Sequence, residues 1–216
     1  MLARQMGDEA KAEWLAIEGL RRAIFLKLPA TQGEILGILA RIQELKGNLR
    51  GAAERLAEAI SILAQTGDAL AHLKALMERA HFYERNRELI LASQDAQEAV
   101  GLAKSLGNGN LEGQAHLVLG KVTRRDINQL DKAVKHLDYS YQKLSEAKNA
   151  RLAWECLFEK GEIERYRENY PAAKTHYDQA LQLLDHALAA LVPGTAESNE
   201  LSQKRAQLEM ILGTLR

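Results

Sequence analysis

Residues 109–122 read GNLEGQAHLVLGKV, and the glycine near the end of that stretch, Gly120, decides how the chain is read. Everything between Gly113 and Gly120 favours a helix, and a glycine inside a helix costs about 1 kcal/mol relative to alanine. Gly120 therefore needs a compensating reason, and the rest of the chain supplies it. Small residues stand at Ala40, Ala80, Gly120 and Gly161, separated by 40, 40 and 41 positions. A second column, Ala52, Ala92, Ala133 and Ala173, keeps step with the first. A third runs Ala59, Ala99, Ser140 and Ala180, each followed by a core-sized residue: Ile60, Val100, Tyr141 or Leu181. Between the second and third columns lie Leu56, Ala96, Leu137 and Tyr177. The helix breaks repeat as well, with Gly67-Asp68, Gly107-Asn108 and Lys148-Asn149 in register.

Columns of this kind are the signature of helix hairpins stacked side by side, because small residues let two axes approach to about 8–10 Å while larger ones fill the grooves. Gly120 is then a contact point with the antiparallel partner helix. The order of small, large and Ala-Leu positions in these columns is similar to the tetratricopeptide repeat (TPR) family. The resemblance is carried best by LARIQELKGNLRGAAERLAEAISIL (39–63) and KGEIERYRENYPAAKTHYDQALQLL (160–184). It implies an all-α solenoid of antiparallel hairpins wound as a right-handed superhelix, with four units over residues 32–190. The 40-residue spacing is longer than the family's usual unit and matches its extended-helix variants. Lys160 and Arg79 stand where the family usually has leucine. Ala12, Ala16, Gly19 and Leu20 fall 40 positions before Ala52, Leu56, Ala59 and Ile60, so residues 9–28 form the second half of a unit. A capping helix is expected over 196–214, giving one domain across 1–216. An array starting mid-unit fits a fragment of a longer protein or an ordinary end cap, and both stand.

Composition agrees with a helical chain. At 46% hydrophobic and 27% charged the 216 residues are globular rather than disordered, and only three prolines interrupt an Ala-, Leu-, Glu- and Lys-rich sequence. Breaks such as KLPATQGE, AQTGDAL and ALVPGTAESN divide it into ten expected helices. Basic and acidic side chains cancel at 29 each, so no whole-protein field draws the chain toward nucleic acid or anionic lipid. No apolar run approaches the roughly 18 residues of a membrane span, and the start MLARQMGDEAKAEW lacks the apolar centre of a signal peptide. The single cysteine, Cys156, fits a reducing compartment, and a cytoplasmic location is expected.

No motif points to catalysis. GQAHLVLGKV departs from a phosphate-binding loop, with Ala115 in the place of the first required glycine and Val122 where Ser or Thr would hold magnesium. LPATQG (28–33) resembles a sortase signal but lies internally with glutamine before the glycine, and reads as a helix break. The six histidines contain no His-Glu-x-x-His pair, so no metal site is expected. His136 and His176 occupy equivalent repeat positions and are expected on the surface, while His116 and Cys156 read as core residues. Glu162 and Glu164 point to different sides of one helix, which rules out a carboxylate dyad. Neither catalytic residues nor a cofactor are assigned, and the chain is read as a non-enzyme.

What the TPR resemblance implies instead is a groove, since first helices line the concave side of such arrays. Its register places Arg41, Glu44, Lys74, Met77, His81 and Arg85 inward in the first two units. Gln114, Leu117, Lys121, Arg124, Arg125, Phe158, Glu162 and Arg165 follow in the next two. That face gathers cations around the apolar anchors Met77, Leu117 and Phe158, and would suit an acidic and apolar peptide or partner helix. The competing reading of KVTRRD is a solvated helix end, where Lys and Arg favour the dipole. The expected function is a protein–protein interaction scaffold, a module of a larger signalling or regulatory protein. A helical-repeat nucleic-acid binder is the first alternative, disfavoured by zero net charge and few stacking aromatics. Self-association through the terminal units is the second, and leaves the oligomeric state open.

Overall fold

The computed structural model describes residues 2–215, with side chains from residue 10 onward. Among the described residues the secondary structure is entirely helical. Ten α-helices follow one another: α1 (Leu2–Phe25), α2 (Pro29–Leu45), α3 (Leu49–Thr66), α4 (Ala69–Arg85), α5 (Leu89–Ser105), α6 (Gly109–Arg124), α7 (Leu130–Glu146), α8 (Ala150–Tyr166), α9 (Tyr170–Ala189) and α10 (Ala196–Thr214). A single 3-10 turn, Ile127–Gln129, leads into α7.

Two compact units divide the chain, Met1–Leu106 with α1–α5 and Gly107–Arg216 with α6–α10. In the first, α2 pairs with α3 and α4 with α5; α1 packs on α2, α3 on α4, and the first helices α2 and α4 also touch. In the second, α6 pairs with α7 and α8 with α9; α7 packs on α8, α10 on α9, and α6 touches α8. Each unit is thus a short α-solenoid of hairpins in chain order.

The repeated breaks have one local cause. Gly67, Gly107 and Lys148 each adopt a left-handed backbone, with φ of 72°, 62° and 54°. The next residue caps the following helix: Asp68, Asn108 and Asn149 accept hydrogen bonds from the backbone N–H groups of Ala71, Leu111 and Leu152. A β-carbon is unfavourable in that backbone region, so lysine at 148 strains a turn that glycine closes freely. Lys148→Gly is expected to raise the free energy of unfolding by about 0.5–1 kcal/mol, and Gly107→Lys to lower it by about as much. Urea denaturation of the two variants checks the sign.

The repeat columns form the core. Ala52, Ala92, Ala133 and Ala173 are all fully buried, as are Ala96, Leu137 and Tyr177 in the column between. Leu137 sits against Gly120, where an added β-carbon would come within 2.8 Å of its Cδ2; Tyr177 sits likewise against Gly161, at 2.5 Å from its Cε1. The third column is buried too, with Ser140 donating a hydrogen bond to the Gly113 carbonyl at 2.7 Å. Of the residues that follow it, Val100 is in the core, while Ile60, Tyr141 and Leu181 are half-buried.

Arg79 and Lys160, where leucine was expected, are matched by acids on the paired or neighbouring second helix. Arg79 places Nε and Nη2 each 2.7 Å from the carboxylate of buried Asp95, and Lys160 Nζ lies 2.7 Å from Asp138. His136 and His176 are half-buried rather than on the surface. His136 Nδ1 lies 3.2 Å from Nδ1 of His116, which is buried beside the Tyr139 ring at 4.4 Å, and burial holds the His176 imidazole below its usual range. Among the described residues no helix is long and apolar enough to cross a membrane.

Candidate functional site: a groove in the second unit

Four of the cations expected to line the first helices, Arg85, Lys121, Arg124 and Arg165, are engaged. Lys121 on α6 lies 2.9 Å from Glu155 on α8, and Arg124 Nε lies 2.5 Å from Glu159 Oε2 one turn further along. Arg165 binds Glu162 at 2.8 Å, and the Tyr177 hydroxyl donates to the other oxygen of Glu162 at 2.5 Å. In the first unit the Arg85 guanidinium forks onto both oxygens of Glu44 at 2.9 and 2.8 Å, with Arg41 3.3 Å away. These carboxylates follow their surroundings. The Arg85 hydrogen bond holds Glu44 below the usual range. Burial pushes Glu162 up, but the hydrogen bonds from Arg165 and Tyr177 outweigh it. For Glu159 burial wins over Arg124 and Lys121, and its pKa rises. Within each unit these cations stand in ion pairs rather than as a bare basic row; Glu44 and Glu162 were read onto the same face from the sequence, whereas Glu155 and Glu159 were not.

The other expected residues separate by depth. Leu117 is 5% exposed and belongs to the core around Leu137, so it is no surface anchor. Met77, His81 and Gln114 are half-buried, and Arg125 is exposed at the end of α6. Lys74 is exposed beside a small recess of the first unit that Glu34 and Glu78 also line. Phe158 is half-buried, packed edge-on to Trp154 and tilted against Tyr177, with ring centroids 6.1 and 5.9 Å apart.

Lys121 and Phe158 do come together, on the wall of a cavity of about 530 Å³ in the second unit. From α8 it takes Trp154, Phe158 and the acids Glu155 and Glu159. From α10 it takes Glu200, Lys204, Gln207, Met210 and Ile211. Trp154 and Phe158 give an apolar floor, with Ile211 opposite and Met210, 74% exposed, at the rim. Glu200 and Lys204 make no ion pair among the described residues, which leaves one charge of each sign for a ligand.

Helix α10 holds its place by two means. Leu201 and Leu208 are buried in the core of α8 and α9, and Arg151 on α8 pairs with Glu197 at 2.7 Å. Positions 200, 204, 207 and 211 then form a stripe at helical spacing along the cavity. Sequence reasoning treated this helix as a polar cap and missed its part in the groove. The available signal was Met210, an apolar residue about half a turn round the helix from Leu201 and Leu208. Trp154 and Glu155 were missed as well, although Trp154 precedes Phe158 by one helical turn.

Among the described residues no group of His, Cys, Asp and Glu is arranged to hold a metal ion. Cys156 is fully buried with Ser140 Oγ 3.1 Å from its sulfur, and burial pushes the thiol up to about 12, so it stays protonated and inert near neutral pH.

No family model matches the chain. No curated protein matches it in sequence. Among solved structures it is similar to the crystal structure of BtubC (BKLC) from P. vanneervenii, with a TM-score of 0.72 and 12% identity over 99% of this chain and 93% of that one. At that identity the likeness establishes the fold.

Proposed function

We propose that this chain is a non-enzymatic protein–protein interaction scaffold of the TPR type that holds an amphipathic peptide or partner helix in the groove between α8 and α10. The observation that carries the reading is the cavity itself: an apolar floor of Trp154 and Phe158, bordered by Glu200 and Lys204, which make no ion pair among the described residues, on helices fixed by buried leucines. Such a surface suits a ligand with apolar anchors flanked by charges of both signs, where burial supplies affinity and charge supplies register. A purely acidic ligand is less suited, because Lys121, Arg124 and Arg165 already hold carboxylates. The same pairing weighs against phosphate contacts and hence against a nucleic-acid role. A place within a larger regulatory assembly in the cytoplasm fits this reading.

The test follows from which residues can change without unfolding the chain. Reversing Arg124 would leave Glu159 buried against a like charge, costing about 3–5 kcal/mol, and would confuse binding with folding. Lys204 and Met210 are exposed. Peptides selected from a random display library on the wild-type protein are expected to be amphipathic. They should bind a Lys204→Glu, Met210→Asp variant at least about tenfold more weakly, a difference of about 1.4 kcal/mol, with helicity and Tm unchanged. A library that yields no binder, or binders indifferent to both changes, overturns the assignment.

A further inference from the structure

Helix α1 carries an apolar face that the repeat does not call for. Trp14, Ile17, Ile24 and Phe25 are 61, 39, 55 and 85% exposed, while Ala23 on the opposite side is buried towards α2. The register of the columns gives each of these positions four counterparts in the other second helices. Trp14 corresponds to Glu54, Gln94, Lys135 and Thr175. Ile17 corresponds to Ala57, Gln97, Asp138 and Asp178. Ile24 corresponds to Ala64, Lys104, Ser145 and Asp185, and Phe25 to Gln65, Ser105, Glu146 and His186. All of these counterparts are exposed apart from half-buried Asp178, and none is a large apolar residue. This side of a second helix therefore faces solvent within its own hairpin, and an unfilled packing slot between hairpins does not explain the stripe on α1. A contiguous stripe of that kind marks an interaction surface.

Charge selects the occupant. Of the three ionised side chains between Trp14 and Phe25, Glu18 and Arg21 are paired with each other at 2.5 Å on the exposed face, and Arg22 lies further round the helix. One acid and one base placed symmetrically about the midpoint of the stripe make it complementary to itself. When two such helices cross antiparallel about a two-fold axis between residues 19 and 20, Trp14 of each meets Phe25 of the other, and Glu18 of each meets Arg21 of the other. A chain of zero net charge adds no long-range repulsion between copies. From this we infer that α1 is a self-association surface whose partner is α1 of a second copy of this chain, independently of what the groove in the second unit binds.

Trp154→Phe leaves Trp14 as the sole tryptophan, so its emission reports burial of the stripe. In that background, sedimentation across a dilution series is expected to show a mass rising from one chain to two, with the emission shifting to the blue in step. Phe25→Asp should abolish both changes and leave Tm unaltered, because Phe25 contributes little to the folded monomer. Glu18→Arg alone should weaken association about tenfold, and Glu18→Arg with Arg21→Glu should restore it. A monomer at every concentration overturns the inference. So does a dimer indifferent to Phe25→Asp, or a blue shift that appears only when a helix of different sequence is added.

Discussion

Gly120→Leu is expected to lower the free energy of unfolding by about 3 kcal/mol, through overpacking rather than loss of any contact. A β-carbon at this position meets Leu137 Cδ2 at 2.8 Å and Cγ at 2.9 Å, and Leu137 is itself fully buried with nowhere to retreat. α6 would have to move off α7, opening the hairpin that gives the second unit its closest pairing. Gly120→Ala separates the causes. Helix propensity alone would make it stabilising by about 1 kcal/mol, so any net loss measures the clash. Gly101, in α5, has open space where its β-carbon would lie, and Gly101→Ala should show the propensity gain undiminished. Denaturation of the three variants decides the matter, and a Gly120→Leu protein that unfolds at the wild-type midpoint removes the register on which the hairpin assignment stands.

Tyr177→Ala is expected to cost more, about 4 kcal/mol. The ring is fully buried against Gly161 and Phe158, in the place that smaller residues fill in the other units, so truncation leaves a cavity that the glycine cannot occupy. Tyr177→Phe keeps the ring and removes only the hydroxyl that donates to Glu162, an acid that retains Arg165; the expected cost is about 1 kcal/mol. The large difference between the two substitutions, read by urea denaturation, identifies packing as the main role. Equal losses would transfer the weight to the hydroxyl and its carboxylate. Hydrogen exchange offers a second readout, with faster exchange in α8 and α9 expected in the alanine variant.

The hairpins were legible because their determinants are local and recur. Ala52, Ala92, Ala133 and Ala173 all proved to be fully buried, and the glycine or lysine before the caps Asp68, Asn108 and Asn149 proved to be left-handed. Steric and capping requirements act through the residue that carries them, and repetition at 40 positions makes them visible. The groove was less legible. Lys121 and Arg124 were placed on the right helix, yet a row of cations read along one register says nothing of the acids that another helix brings against it. Glu155 and Glu159 lie 34 and 35 positions beyond the residues they bind, outside the period that aligned the columns. Leu117 failed as an anchor for a related reason: one helix step decides between the lining and the core, and a register good to a residue or so does not resolve it.

Periodicity by itself determined that this protein is helical, where its hairpins turn and which residues seal them, because each of those outcomes depends on backbone sterics and side-chain volume at fixed short range. Tertiary structure alone decided that α10 stands off α8 to leave a cavity over Trp154, and that Lys121 and Arg124 of α6 are neutralised by carboxylates of α8. It also decided which face of α1 remains bare. Those features arise from the relative placement of whole helices, where burial and ion pairing act between residues with no fixed separation along the chain.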